Sequence, residues 1–374
     1  MRLLYVTDAI TIWGGLERIL VEKMNFFAEE YGYDVYLVTA NQGSHDIPYP
    51  LSPKVHFCDL GIFTYLEYRY RGIKRLWVKH QLSSLFKNKL QDQISDICPD
   101  ILLCVRLDLV SLLLKVKNHV PLVFEAHTLC HVYGDNGSRI YDKLKQFYYT
   151  RKVRGADMIV SLSEGDASHW KRINQNVQVI HNMVHLNPSD SYSDCMSHKA
   201  IFVGRFSVQK DIISLVKVWM LVNLRYPDWE LHIYGGYGGD DSQLIPTIED
   251  SKANIIMHEP TAQIFEAYRS SSMLLLTSIY EPFGLVMPEA MSCGLPVVAF
   301  DCPFGPKEII TSGVDGFLVQ DRDIPTFADR VCQLIESPSL RVKMGKAAIM
   351  SSRRYEAHKI MPNWKNLFEQ MIKQ

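Results

Sequence analysis

Residues 278–300, SIYEPFGLVMPEAMSCGLPVVAF, decide the fold of this chain. They follow an apolar run at 273–276 and end in another at 297–300, and short apolar runs of this kind predict buried strands of a parallel sheet. Between the runs, Pro288 suits the first turn of a helix and Gly294 suits the position where a helix stops. The segment therefore predicts a strand, a short helix and a second strand.

The start of this helix, expected near Gly284 or Leu285, is a predicted binding site for a phosphate or a sugar hydroxyl. Its free backbone N–H groups point out of the carboxyl edge of the sheet, and helix N-termini of this kind bind anions. Glu281 lies just before the helix and Glu289 just inside it, so both can face one crevice. Because a carboxylate accepts hydrogen bonds from two neighbouring hydroxyls, one acid could bind a ribose and the other a hexose.

Glu281 and Glu289, with seven residues between them and Pro-Phe-Gly after the first, resemble the E-x7-E motif of the retaining glycosyltransferases of family 4. The Ala-x-x-x-Gly-x-Pro-Val-Val context resembles that family as well. The resemblance implies an α/β fold of the GT-B type, with two Rossmann-like domains whose parallel sheets face a central cleft. It also implies that Glu289 binds the ribose diol and Glu281 the donor hexose. Backbone N–H groups of Phe283, Gly284 and Leu285 would bind the sugar and the β-phosphate.

The length and composition suit a soluble protein of two domains. The chain has 374 residues, too many for one ordinary core, with 47% hydrophobic and 22% charged residues. Its 40 basic and 41 acidic residues nearly balance, so the composition does not favour a nucleic-acid partner. The eight cysteines have no C-x-x-C pair and no metal-ligand spacing, which predicts reduced thiols and a cytoplasmic protein. We also expect no signal peptide and no membrane-spanning segment.

A glycine pair, Gly14 and Gly15, lies in the first loop of a predicted βαβ unit. Glycines before a helix let backbone N–H groups approach a diphosphate closely. The dinucleotide fingerprint G-x-G-x-x-G is absent from this loop and from the glycine cluster at 235–239, which disfavours a nicotinamide enzyme. The sequence Gly-Gly-x-Glu-Arg resembles the loop that family 4 enzymes close over the donor.

His127 follows a predicted strand at 121–126, where a parallel sheet carries functional side chains. By position alone it could be a surface residue. The resemblance to family 4 implies instead that His127 contacts the donor sugar near the reacting carbon. His131 could face the acceptor, and Glu125 is a weaker candidate.

Arg205 and Lys210 follow another predicted strand and are expected on the same side as Glu281. Two fixed cations there would stabilise the negative charge of a departing nucleoside diphosphate without a metal ion. Val-Gly-Arg followed five residues later by Lys resembles the phosphate-binding pair of the family. His258 ends a further strand, beside the loop in which relatives hold the nucleobase through backbone contacts.

Two basic stretches that contain aromatic residues, at 68–90 and 139–154, predict contact with an anionic membrane. Each Lys or Arg near such a surface adds on the order of 1 kcal/mol to the free energy of membrane binding. An ordinary solvated helix face is the alternative. The resemblance favours the membrane, because many relatives glycosylate lipid-linked acceptors, and it implies peripheral binding at the inner face of the plasma membrane.

The predicted organisation is an acceptor domain at 1–186, a linker at 187–198, a nucleotide-sugar-binding domain at 199–352 and a C-terminal helix at 353–374 that crosses back to the first domain. The implied activity is metal-independent, retaining transfer of a hexose, with no cofactor, from a UDP-sugar to a hydroxyl of a glycan or lipid-linked glycan acceptor in surface-polysaccharide synthesis. His127, Glu281, Arg205 and Lys210 would be catalytic, and domain closure would bring Gly15 and His127 onto the donor.

Three alternatives remain open. A UDP-sugar epimerase could share the architecture, and a non-catalytic protein could bind the same nucleotide sugar. Glu281 and Glu289 could also form the acid/base pair of a glycosidase, although a loop-helix context suited to phosphate disfavours it. The combined presence of six candidate residues argues against loss of catalysis: Gly15, His127, Arg205, Lys210, Glu281 and Glu289.

Overall fold

A computed structural model describes residues 1–130, 144, 147–148, 150–236 and 244–373. His131, much of the basic stretch at 139–154 and the end of the glycine cluster at 235–239 lie outside the described residues. The chain divides into two compact units. The first contains most of the chain up to Ile180 together with the residues from Pro362 onward, and the second contains His181–Met361.

The first unit is built on a seven-stranded parallel sheet of order β3-β2-β1-β4-β5-β6-β7. Its strands are β1 (Arg2–Thr7), β2 (Asp34–Thr39), β3 (Val55–Asp59), β4 (Ile101–Cys104), β5 (Leu122–Ala126), β6 (Met158–Ser161) and β7 (Val177–Val179). Helices described before β8 (Lys199–Val203) are α1 (Gly15–Glu29), α2 (Gly72–Ile97), α3 (Leu107–Val116) and α4 (Glu164–Trp170). The sequence pattern does not predict β3, because this edge strand is partly exposed and has no apolar run.

The central strands of this sheet are buried along their whole length. Every residue of β4 and β5 is buried, as expected for strands of a parallel sheet covered by helices on both faces. Leu4, Leu102 and Phe124 from three neighbouring strands belong to one hydrophobic core. Glu125, the last residue but one of β5, is the only charged residue of that strand, and its side chain is fully buried.

The second unit is built on a six-stranded parallel sheet of order β10-β9-β8-β11-β12-β13. Its strands are β8 (Lys199–Val203), β9 (Glu230–Tyr234), β10 (Ile255–His258), β11 (Met273–Leu276), β12 (Val297–Phe300) and β13 (Gly316–Val319). Its helices are α5 (Ile212–Asn223), α6 (Leu244–Ser251), α7 (Ile264–Arg269), α8 (Val286–Ser292), α9 (Gly305–Ile309), α10 (Ile324–Glu336) and α11 (Pro338–Ser352).

The segment at 278–300 forms the predicted strand-helix-strand unit. The two apolar runs are β11 and β12, which pair in parallel and are completely buried. Helix α8 begins at Val286, with Leu285 as its N-cap, slightly later than the sequence predicts. Gly284 adopts a φ of +93°, a conformation that glycine reaches at little cost and that turns the chain into the helix.

The chain returns to the first unit within the last helix, α12 (Ala357–Ile372), whose residues from Pro362 onward belong to that unit. The ring of Phe368 packs on that of Phe27, with their centroids 5.4 Å apart. The earlier boundary between the two units lies between Ile180 and His181. The sequence analysis places the end of the first domain at 186. The backbone N–H of Val184 donates to the carbonyl of Tyr355, and both residues belong to the second unit.

The helices of the described residues include none that is both long enough and apolar enough to cross a membrane.

Candidate active site

Glu281 lies in the loop after β11, and its backbone is fixed on both sides. Its N–H donates to the carbonyl of Pro303 at 2.7 Å, and its own carbonyl accepts from the N–H groups of Phe304 and Gly305. A Cβ on Gly305 would lie 2.0 Å from the carbonyl oxygen of Phe283, so the two loops meet backbone to backbone. This contact requires glycine at 305 and holds Glu281 at the carboxyl edge of the sheet.

The structure brings Lys210 and Glu281 together. Lys210 Nζ donates to Glu281 Oε1 at 2.5 Å, and their side chains are only 16% and 4% exposed. Ser278 Oγ donates to the same carboxylate oxygen at 2.6 Å. The carboxylate is therefore held by a cation and a hydroxyl, and the ammonium is held at the rim of the site. The role of Ser278 was absent from the sequence interpretation, although its position three residues before Glu281 is a usable signal.

The loop that carries Lys210 is tied to the loop before Glu281 by several hydrogen bonds. The N–H of Ile279 donates to the carbonyl of Gln209 at 2.8 Å, and Gln209 Nε2 donates to the carbonyl of Tyr280 at 3.0 Å. Thr277 Oγ1 donates to the carbonyl of Asp211 at 3.0 Å. These bonds fix the spacing of the two loops, and hence of the cation and the acid.

Arg205 is exposed, in the same region as Tyr280 and Glu281. Burial and the Glu281 carboxylate raise the pKa of the Tyr280 phenol, and the positive charge of Arg205 opposes that rise. The arginine therefore lies close enough to Tyr280 to influence it electrostatically. Its guanidinium has five N–H donors in a planar fork, the geometry that suits a phosphate.

Glu289 lies in the first turn of α8, and its side chain is buried. Its Oε2 accepts a hydrogen bond at 3.3 Å from the hydroxyl of Tyr268, a fully buried residue of α7. The sequence interpretation missed Tyr268, because nothing in the local pattern around a helical tyrosine indicates a contact with a distant acid. The phenol orients one carboxylate oxygen of Glu289.

The backbone N–H groups of Phe283, Gly284 and Leu285 stand at the start of α8. Within the described residues, none of the three donates a hydrogen bond to another backbone group. Their position after Glu281 and before Glu289 leaves three donors beside two carboxylates. Such an arrangement can bind an anion together with hydroxyl groups.

The ring of His258, at the end of β10, contacts two neighbouring side chains. Its Nε2 lies 2.9 Å from His232 Nδ1, and His232 Nε2 lies 2.9 Å from a Glu230 carboxylate oxygen. The ring also stacks on Tyr234, with centroids 4.2 Å apart. Burial and the charges of His232 and Lys199 lower the pKa of His258. The imidazole is therefore neutral at neutral pH.

The first unit carries the remaining predicted residues. Gly14 is the N-cap of α1, its carbonyl accepts from the Tyr49 hydroxyl at 3.1 Å, and Gly15 is the first residue of the helix. A Cβ on Gly14 would lie 2.3 Å from a carboxylate oxygen of Glu17. His127 directly follows β5, and its Nε2 lies 3.2 Å from Glu125 Oε2. The histidine thus stands at the carboxyl edge of its own sheet.

Within the described ranges, no group of three His, Cys, Asp or Glu side chains is arranged to hold a metal ion.

Two family models together match nearly the whole chain. Residues 13–187 match the model described as Glycosyltransferase Family 4, and residues 191–350 match the model described as Glycosyl transferases group 1. The amylovoran biosynthesis glycosyltransferase AmsD of Erwinia amylovora is 29% identical over 98% of this chain and 99% of its own length.

Solved structures of the same fold include complexes with ligands. A variant of S. aureus TarM, in complex with Fondaparinux, alpha-GlcNAc-glycerol and UDP, has a TM-score of 0.83 at 16% identity and covers 98% of this chain and 99% of its own. Anabaena Alr3699/HepE in complex with UDP-glucose has a TM-score of 0.74 at 17% identity and covers 99% of this chain and 100% of its own.

Proposed function

The chain is a GT-B glycosyltransferase whose first half belongs to Glycosyltransferase Family 4, and on that premise we propose that it transfers a hexose, with retention, from a UDP-sugar. The proposed acceptor is a hydroxyl of a glycan or lipid-linked glycan in surface-polysaccharide synthesis. Support for the donor comes from the UDP bound to TarM and the UDP-glucose bound to HepE, and support for the pathway class comes from the relative named for amylovoran biosynthesis.

The observation that carries the proposal is the contact between the partly exposed Lys210 ammonium and the buried Glu281 carboxylate, with Arg205 close to the neighbouring Tyr280. Removing a charge from water costs much free energy unless the charge keeps a partner, and Lys210 and Glu281 are partners for each other. In the proposed complex, the ammonium also faces the diphosphate of the donor, and Glu281 accepts hydrogen bonds from sugar hydroxyls. In that complex, the Lys210 cation lies next to the bond that must break.

In the proposed reaction, the bond from the anomeric carbon to the β-phosphate oxygen breaks as negative charge grows on the diphosphate. Lys210 and Arg205 stabilise that charge, and electrostatic stabilisation of this kind is usually the largest single contribution to catalysis. The acceptor oxygen forms its bond to the anomeric carbon on the same face, and its proton passes to the departing diphosphate oxygen. His127 contacts the donor sugar near the reacting carbon.

We assign binding of the nucleotide to Glu289 and to the start of α8. Glu289, oriented by Tyr268, accepts from the two ribose hydroxyls, and the N–H groups at 283–285 bind the β-phosphate and the sugar. The ring of His258 already has partners in His232 and Tyr234, so we assign contact with the nucleobase to the backbone beside it.

The proposed function is tested by incubating the protein with UDP-sugars and measuring UDP release. We expect release that depends on an added glycan and that is unchanged by EDTA, because Lys210 and Arg205 take the role that a metal has in other transferases. Interconversion of the sugar without release would instead identify an epimerase, and tight binding without turnover would identify a binding protein. Loss of activity in EDTA, restored by a divalent cation, would contradict metal independence.

A basic and apolar surface on α2 supports peripheral binding of an anionic membrane. Ile73, Leu76 and Trp77 share one side of the helix at i, i+3 and i+4, and they are 86%, 67% and 58% exposed. Four basic residues just before and within this part of α2 are exposed as well: Arg69, Arg71, Lys74 and Lys79. Apolar residues that enter the headgroup region beside cations that face lipid phosphates are typical of helices that lie on a membrane.

Binding to vesicles containing anionic lipid is expected at low salt and should weaken as salt is added, because the cations are exposed and therefore screened. In a flotation assay, Trp77→Asp should reduce the bound fraction. Leu224→Asp is the matched control, since Leu224 is 82% exposed at the end of α5 and lies outside the basic surface. Absence of binding to anionic vesicles at low salt would remove the membrane from the proposal.

A further inference from the structure

Three ionisable side chains of the first unit, Lys23, Glu125 and His127, are buried against one another. Lys23 of α1 is 3% exposed, Glu125 of β5 is 1% exposed and His127 is 7% exposed. Lys23 Nζ donates to Glu125 Oε2, and His127 Nε2 lies 3.2 Å from the same oxygen. The proposed function gives a role only to the histidine, so the buried ion pair behind it needs a separate explanation.

Glu125 is ionised although it is completely buried. Burial raises the pKa of its carboxyl group, but the Lys23 ammonium and His127 outweigh that effect and hold the pKa below its usual value. Lys23 also lies over the ring of Trp364, 4.4 Å from the centroid, which is a second favourable contact for its charge. Glu125 Oε2 makes the contacts with Lys23 and His127, and the Tyr5 hydroxyl is a further hydrogen-bonding neighbour of the carboxylate.

His127 is neutral, and its neighbours decide which nitrogen carries the proton. Burial lowers the pKa of the imidazole more than the Glu125 carboxylate raises it. A neutral imidazole has one N–H group, and an ionised carboxylate can only accept. Because Nε2 faces that carboxylate, Nε2 carries the proton and Nδ1 keeps its lone pair.

The other groups that face this cluster leave its charge balance unchanged. Tyr5 of β1 and Cys104 of β4 both lie near Glu125, and burial raises the pKa of Tyr5 and that of Cys104, the latter to about 12. Both therefore stay protonated at neutral pH. Glu17 of α1 opposes the fall in the pKa of His127, but it does so more weakly than Glu125.

We propose that Lys23 and Glu125 are positioning residues that hold His127 in the Nε2–H tautomer, so that Nδ1 accepts a hydrogen bond from a hydroxyl of the sugar donor. Lys23 keeps the carboxylate ionised, the carboxylate takes the Nε2 proton into a hydrogen bond, and the ring is fixed in both tautomer and orientation. The acceptor role at Nδ1 rests on the proposed function, whereas the tautomer rests on the cluster alone.

The tautomer is measured directly by NMR of the full chain labelled with 15N-histidine. The chain has 13 histidines, and a His127→Gln variant identifies the signals of His127 by their disappearance. At neutral pH we expect a protonated Nε2 and an unprotonated Nδ1 at this residue. A proton on Nδ1, or an equal mixture of the two tautomers, would overturn the proposal.

A double variant, Lys23→Met with Glu125→Gln, removes both charges together, so that neither is left buried alone. Its glutamine amide can donate as well as accept, and the preference for the Nε2–H tautomer should fall. We expect turnover to drop by about tenfold, the effect of losing one hydrogen bond, while UDP affinity stays unchanged. Tyr5→Phe, which removes a neutral hydrogen-bonding neighbour of Glu125 and leaves both charges in place, is the control and should preserve the tautomer.

The outcomes separate this proposal from the proposed function. A wild-type Nε2–H tautomer that is lost in the double variant supports the positioning role even if no UDP-sugar is turned over, in which case only the transferase assignment fails. A double variant with the wild-type tautomer and wild-type turnover overturns the positioning role, while glycan-dependent UDP release in the same assay leaves the transferase intact.

Discussion

Lys210→Ala is expected to lower sugar transfer by about a hundredfold or more, the usual effect of removing a fixed donor from a developing negative charge. Lys210 is the cation that the structure holds directly against Glu281, in a loop tied to the one before the acid. The variant loses charge at the leaving group and leaves Glu281 buried with Ser278 as its remaining contact on Oε1. The measurement is the rate of glycan-dependent UDP release.

Lys217→Ala is the matched control, because Lys217 is exposed on α5, the helix that follows the same loop. It removes the same charge from the protein and should leave turnover at the wild-type level. Thermal melting of both variants shows whether the fold is retained. Turnover close to wild type in folded Lys210→Ala would mean that another cation stabilises the leaving group.

Glu289→Gln is expected to weaken UDP binding by about tenfold or more, because a hydrogen bond to a charged acceptor contributes roughly 1.5–3 kcal/mol. Glutamine keeps the shape of the side chain and can still accept from Tyr268, so the fold around α8 should be unchanged. Affinity is measured by calorimetry with UDP and with its 2′-deoxy analogue. Wild type should prefer UDP, and the variant should lose much of that preference.

Glu266→Gln on α7 provides the comparison, since Glu266 is exposed and its neutralisation should affect neither ligand. If Glu289→Gln bound UDP as tightly as wild type and still discriminated against the deoxy analogue, the ribose would have to be bound elsewhere.

Much of the second unit was predictable because its signals are local. The apolar runs that became β11 and β12 and the glycine that follows α8 all lie within one segment of the chain. The residues that carry the family resemblance are also close together in the sequence, since only one loop and one helical turn separate Glu281 from Glu289. Strand β3 was missed, because a partly exposed edge strand has no apolar run to indicate it.

The contacts that orient these residues were not predictable. Tyr268 reaches Glu289 from another helix, and Lys23 reaches Glu125 from the helix after β1, two strands away in the sheet. A lysine on an amphipathic helix ordinarily lies on the solvated face, so periodicity gave no reason to expect Lys23 in the interior. Only its buried partner explains the position.

By itself, the sequence determined the order of strands and helices around residues 278–300 and the identity of the two acids, because apolar runs, helix stops and motif spacing act over a few residues. The tertiary structure alone decided which charges meet. Lys210 and Glu281 are 71 residues apart in the chain, and Lys23 and Glu125 are 102 residues apart. Such pairs depend on strand order and on the depth of burial of each side chain, and neither is encoded in the spacing of residues along one segment.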